Sequence, residues 1–143
     1  MSGYIESYRG HVLSNECDLF GHMNVTFYNA CLAQAMTTMM TSVGVDPEEA
    51  AETRRGLAAV EQNSKYYAEL LAGDIIHMES GVLKSSNKTI SFHHKLFNSA
   101  TNVLAYECVV TAAYMDLDAR TAIPLDTAVH AKLAELGTIE EAA

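Results

Sequence analysis

Asp18-Leu19-Phe20-Gly21-His22-Met23-Asn24 leads directly into Val25-Thr26-Phe27-Tyr28-Asn29-Ala30-Cys31-Leu32-Ala33-Gln34-Ala35-Met36. The first stretch reads as a turn around a carboxylate, with Gly21 free to adopt the sharp geometry. The second is helical, because Phe27, Cys31, Leu32, Ala35, Met36, Met39, Met40 and Val43 recur at three- and four-residue spacing. Asn24 suits the N-cap, where its side chain can accept an otherwise orphaned N–H. Gly44 suits the position just past the helix end. The segment 25–43 carries no charged residue, which predicts a helix apolar nearly all round and therefore buried.

Upstream, residues 8–17 read as a first strand that the Gly21 turn interrupts. Downstream, Asp46-Pro47-Glu48-Glu49 opens a short second helix. The pattern then changes to strands over 57–67, 75–83, 89–97 and 103–115. Gly73-Asp74, Ser85-Ser86-Asn87-Lys88 and residues 98–102 form the turns between them. A surface helix is expected over 125–136. No linker or internal repeat divides residues 1–143, so one domain is expected. The order is strand, long helix, then four antiparallel strands. It predicts an α+β fold in which a curled sheet wraps one buried helix. A sheet with an open edge strand predicts at least a dimer joined edge to edge.

Composition narrows the function classes. The formal net charge of −9 disfavours broad binding to nucleic acid or anionic membrane. No apolar run reaches the roughly 20 residues that span a bilayer. Met1-Ser2-Gly3-Tyr4-Ile5-Glu6 lacks the layout of a secretory signal. Cys17, Cys31 and Cys108 are odd in number and form no paired motif, which points to reduced thiols and a cytoplasmic protein. His93 and His94 are neighbours on a strand and face opposite sides, so they do not chelate one metal together. Cys17 beside Asp18 is expected to be an inert, semi-buried thiol.

Asp18 is the candidate catalytic carboxylate. A carboxylate at the start of a buried helix stands beside unpaired N–H groups that can receive an oxygen gaining negative charge. That pairing suits attack on a thioester, with the carboxylate acting either as general base or as nucleophile. His22 fits a role in positioning substrate or water, or in holding the turn. Asn24 fits a cap or a ligand contact. Glu61, Asn63 and Glu69 share one parity and are able to face a substrate together, forming an acidic wall suited to a cationic acyl group. They fit solvent equally well.

Asp18-x-x-Gly21-His22-x-Asn24 followed by Tyr28 resembles the signature of the 4-hydroxybenzoyl-CoA thioesterase-like hotdog family. The likeness extends through Tyr66-x-x-Glu69-Leu70-x-x-Gly73-Asp74 to Asp116-x-Asp118-x-Arg120. It implies a hotdog fold and hydrolysis of a small or medium acyl-CoA, with Asp18 as the catalytic residue and His22 and Asn24 beside it. It also implies CoA lying across the interface of a homodimer or homotetramer. The acyl-CoA would be the ligand, with no metal and no cofactor beyond the CoA of the substrate. Gly21, Met23, Val25, Tyr28, Glu61, Asn63 and Tyr66 are the expected substrate contacts, and Lys84 and Lys88, with Lys95 and Arg120, are candidates for the CoA phosphates. Gly21-His22-Met23-Asn24-Val25 and Glu61-x-Asn63-x-x-Tyr66 look most like thioesterases of carnitine breakdown that act on betainyl-CoA. A hotdog hydratase or dehydratase acting on acyl thioesters is the alternative enzyme, and a non-catalytic acyl-CoA-binding module the alternative outside catalysis.

Overall fold

The computed structural model describes residues 3–139. Residues 1 and 2 of the expected N-terminus, and Glu140 and Glu141 of the acidic tail, lie outside them. The chain runs β1 (Ile5–His11), α1 (Val25–Ser42), α2 (Pro47–Thr53), β2 (Arg55–Tyr66), β3 (Ile75–Ser85), β4 (Thr89–Asn98), β5 (Val103–Asp116), β6 (Thr121–Ala122) and α3 (Thr127–Leu136). The sheet order is β1-β3-β4-β5-β2, with β6 added on β5. All strand pairs are antiparallel. A curled antiparallel sheet packed on one long helix is the hotdog fold.

The local chemistry explains α1. Asn24 is its N-cap, accepting the Thr26 N–H at 3.0 Å. At the other end Gly44 takes φ +84, a left-handed value that suits glycine. The Val45 N–H then returns to the Met40 carbonyl at 2.8 Å. Tyr28, Cys31, Leu32, Ala35, Met36 and Met39 form the buried stripe. They meet Met78, Phe92, Leu96, Tyr106, Cys108 and Val110 from the inner face of the sheet. Each large apolar side chain hidden there contributes roughly 1.5–3 kcal/mol.

Three expectations are corrected. The helix is not buried all round, since Thr26, Asn29, Ala30, Ala33, Gln34 and Thr37 are exposed. One sheet covers only one side of one helix. The first strand ends at His11, because Ser14-Asn15-Glu16 form a 3-10 turn in which the Glu16 carboxylate accepts the Leu13 N–H at 2.7 Å. Asp18 therefore follows an isolated bridge between Cys17 and Met23 and does not end a strand. The two-residue strand β6 also goes beyond expectation. It returns after a turn in which Asp116 Oδ1 accepts the N–H groups of Asp118 and Ala119.

The strand β2 decides where side chains point. Its register with β5 shifts between Ala59 and Glu61, leaving Val60 as a bulge. Leu57 and Ala59 face α1 before the bulge, whereas Gln62, Ser64 and Tyr66 face inward after it. The outer side of β2 has no neighbour among the described residues, and Val60 is 63% exposed.

His93 and His94 point to opposite faces, as strand alternation requires. His94 is fully buried, with Nδ1 2.6 Å from Ser80 Oγ and Nε2 3.2 Å from the Met36 sulfur. The thioether can only accept, so Nε2 carries the proton and Nδ1 accepts from Ser80. His93 lies on the outer face, between Tyr4 and Glu107.

Candidate active site

The loop before α1 is held from several sides. The Asp18 N–H donates to the His22 carbonyl at 3.1 Å, and the Gly21 N–H returns to the Asp18 carbonyl at 2.9 Å. Gly21 sits at φ +87, which the reversal needs. Met23, 1% exposed, pins the loop to the core through its N–H to the Leu70 carbonyl at 2.8 Å.

The carboxylate of Asp18 is half-buried at the start of α1. Its Oδ1 accepts the Phe20 N–H at 2.9 Å and its Oδ2 accepts the Asn24 side-chain amide at 3.2 Å. The Phe20 N–H, first, holds its carboxyl below the usual carboxylate range; Asn24 and the nearby His22 act the same way against the opposing effect of burial. The side chain is therefore ionised at neutral pH.

Asn24 uses its Oδ1 on the Thr26 N–H, which corrects the expectation of several free donors at the helix start. The Val25 N–H has no acceptor among the described residues. His22 Nδ1 lies 3.2 Å from the Met23 carbonyl, a contact that requires the proton on Nδ1.

Beside this loop opens a cleft of about 380 Å³. Its walls are His22, Met23 and Val25 from the loop and helix start, Tyr28 from α1, and Tyr66, Tyr67, Ala68 and Glu69 from the end of β2. Asp18 stands outside these walls, joined to them through Asn24 and His22. Tyr28, Tyr66 and Tyr106 form a triangle with all three ring centroids 5.1 Å apart. Burial pushes the Tyr28 hydroxyl up to about 12, so it stays protonated.

Most of the expected residues gather here: Gly21, His22, Met23, Asn24, Val25, Tyr28, Tyr66 and Glu69 are in the loop or around the cleft. Glu61 and Asn63 do not join them. The Val60 bulge turns both to the outer face, where they line a separate groove of about 280 Å³ with Lys65, Glu107 and Val109. Lys84 is six residues along β3 from Met78, which is level with Tyr106 and Tyr66 in the sheet. At about 3.3 Å per residue that is roughly 20 Å from the cleft. Lys88 lies in the same distant hairpin, so neither lysine reaches the cleft of its own chain.

Tyr67 is a cleft residue the sequence did not yield. β2 ends at Tyr66, and Tyr67 follows it on the opposite face, as alternation requires, while still lining the cleft where the strand stops. Its hydroxyl donates to Glu107, which in turn meets His93 at 3.0 Å. Asn29 and Gln62 were also missed; they join α1 to β2 through a hydrogen bond in which Gln62 Nε2 donates to Asn29 Oδ1 at 2.9 Å.

Comparison with known proteins agrees with this architecture. Residues 12–133 match the family model of the thioesterase-like superfamily. A Staphylococcus aureus protein solved in complex with CoA superposes with a TM-score of 0.87 at 18% identity, covering 96% of this chain and 90% of its own. A gentisyl-coenzyme A thioesterase gives 0.76 at 17% identity, covering 89% and 98%. A 1,4-dihydroxy-2-naphthoyl-CoA thioesterase from Synechocystis gives 0.79 at 13% identity, covering 93% and 97%. At these identities the likeness is one of fold.

Proposed function

The chain belongs to the thioesterase-like superfamily, and from that premise we propose that it hydrolyses a small or medium acyl-CoA to the free acid and CoA, with Asp18 as the catalytic carboxylate. The observation that carries this reading is the ionised Asp18 tied to Asn24, the N-cap of α1, beside a cleft into which the helix start opens. The Val25 N–H, at the positive end of the helix, is the group suited to the thioester oxygen as it gains charge. As a base, Asp18 takes a proton from water while the water oxygen bonds to the acyl carbon; the C–S bond then breaks and the sulfur leaves with that proton. As a nucleophile, Asp18 attacks the acyl carbon, the C–S bond breaks and CoA leaves as the thiolate; water then opens the resulting anhydride to the free acid and the Asp18 carboxylate, and one of its protons goes to the thiolate. Label found in Asp18 after a single turnover in oxygen-18 water identifies the nucleophilic route, with water opening the anhydride at the Asp18 carboxyl carbon. No metal or redox cofactor is needed, because CoA is part of the substrate.

The acyl group we favour is short and cationic, as in betainyl-CoA. Three tyrosine rings and the Glu69 carboxylate around one cleft suit a quaternary ammonium through cation–π attraction and charge. The protein is proposed to act in the cytoplasm as a homodimer or homotetramer, joined through the exposed edge of β2. Among the described residues, the cleft walls contain no lysine or arginine. CoA phosphates therefore need cations from elsewhere, which fits a ligand lying across a subunit interface. The structural relative solved with CoA lends support to CoA as the ligand.

The test is a panel of acyl-CoAs, betainyl-CoA included, scored for thiol release. Release from at least one member, abolished in Asp18→Asn, is the expected result. Ligand-induced thermal stabilisation without release from any member would overturn the hydrolase in favour of a binding module.

A further inference from the structure

The seam between α1 and the inner face of β2 holds a second cleft, also of about 380 Å³. Leu32, Ala33, Met36 and Met40 line it from the helix, and Leu57 and Ala59 from the strand. It continues the line of the candidate active site, since Val25 and Tyr28 precede its helix residues and Tyr66 lies beyond its strand residues. Two side-chain cross-links from helix to strand stand between the clefts. Tyr28 meets Tyr66 edge-on at 5.1 Å and walls the first. Gln62 Nε2 donates to Asn29 Oδ1 at 2.9 Å, and this pair walls the second.

Both cross-links share one anchor. Gln62 also reaches Ser64 Oγ at 3.2 Å, and Ser64 Oγ lies 2.9 Å from the hydroxyl of Tyr106. The Tyr106 ring is the third member of the triangle with Tyr28 and Tyr66. Tyr106 is fully buried, whereas Asn29, Gln62 and Tyr66 are exposed. The core therefore does not need these exposed groups for its packing, and the amide pair is a polar bar across an otherwise apolar seam.

We infer that this double partition is a specificity device: Tyr66 and Gln62, with Tyr28 and Asn29 opposite, end the acyl cleft and exclude acyl chains that would extend into the second one. The inference rests on the thioesterase reading of the first cleft. An acyl chain growing from the Val25 end runs against the tyrosine pair, and beyond it against an amide pair that would lose its hydrogen bond without replacement. A short acyl group meets neither.

The experiment measures kcat/KM for straight-chain acyl-CoAs from acetyl to decanoyl. In the native protein the value falls as the chain lengthens. In Tyr66→Ala/Gln62→Ala the ratio of decanoyl to butyryl activity rises about tenfold or more, because each newly buried methylene contributes a factor of roughly four. Adding Ala33→Phe to that variant refills the second cleft and returns the ratio toward native. Ala33→Phe alone, at an exposed helix position, leaves the native profile unchanged. A double variant whose ratio stays within about twofold of native overturns the inference, as does a native protein that accepts decanoyl-CoA as well as butyryl-CoA. So does Ala33→Phe alone shortening the native range, which would mean the partition is already open. A native protein releasing no thiol from any acyl-CoA overturns the thioesterase reading, and the inference with it.

Discussion

Asn24 spends both ends of its amide at the candidate site: Nδ2 donates to Asp18 Oδ2 at 3.2 Å while Oδ1 accepts the Thr26 N–H at 3.0 Å. One side chain thus fixes the Asp18 carboxylate to the start of α1, where the Val25 N–H is left without an acceptor among the described residues. Stability and activity meet in this residue.

Replacing Asn24 separates the two. Asn24→Ala loses the cap and costs about 1 kcal/mol of stability, read from urea unfolding. It also removes a donor that holds the Asp18 carboxyl low. Activity needs the ionised form, so it is lost as pH falls through the Asp18 pKa. The acidic limb of kcat/KM should therefore move to higher pH in Asn24→Ala. An unshifted limb in a folded variant contradicts the role given to Asn24.

His94 sets a stability profile. Burial is the main cause that pushes its pKa down to about 3 from an unfolded value near 6.5. A group depressed on folding stabilises fully above the unfolded value, and that stability is lost as pH falls toward the folded one. Between about pH 6.5 and 4 the unfolding free energy should fall by up to roughly 1.4 kcal/mol per pH unit from this residue. His94→Leu should be less stable at pH 7, since Ser80 loses its acceptor, yet show a flatter profile over that window. A profile as steep as native rules out His94 as its source.

The free edge of β2 is testable by charge. Val60 is 63% exposed at the bulge of that edge, and a lysine there opposes strand pairing between copies. Light scattering should give an oligomer for the native chain and the 15.6 kDa monomer for Val60→Lys. A native monomer contradicts the proposed assembly.

The tyrosine cleft predicts discrimination by charge. Betainyl-CoA and its neutral isostere tert-butylacetyl-CoA differ in one central atom, and cation–π attraction supplies a factor of roughly 2–30 between them. Tyr66→Leu should raise KM for the cationic ester and barely change it for the neutral one. Equal effects on both contradict the cationic reading.

Much of the fold was legible because local signals agreed with one another. Asn24 before an apolar period, Gly44 after it, and turn residues at Gly73 and Ser85–Lys88 each marked a boundary that the structure keeps within a few residues. The bulge at Val60 was not legible, since Ala58-Ala59-Val60 carries no glycine and no break in composition. That single extra residue reversed the alternation and moved Glu61 and Asn63 away from the cleft. Tyr67 was hidden for another reason: it keeps to the face opposite Tyr66, and only the end of β2 beside the loop makes it a cleft residue. The exposed side of α1 was misjudged because small and polar uncharged residues such as Ala30, Ala33 and Thr37 carry no solvent signal in sequence. In the site, the loop motif and its cap were readable from chemistry. The cross-strand partners Gln62 and Tyr106 required the register.

The decisive measurement is thiol release by purified Asp18→Asn against the native protein, on the best acyl-CoA of the panel, with circular dichroism recorded on both. Loss of the general base or nucleophile should lower kcat by a factor on the order of 10²–10⁴ with the fold intact. A folded Asp18→Asn that works within a few-fold of the native rate contradicts the account, because the carboxylate beside the helix start would then do no chemistry.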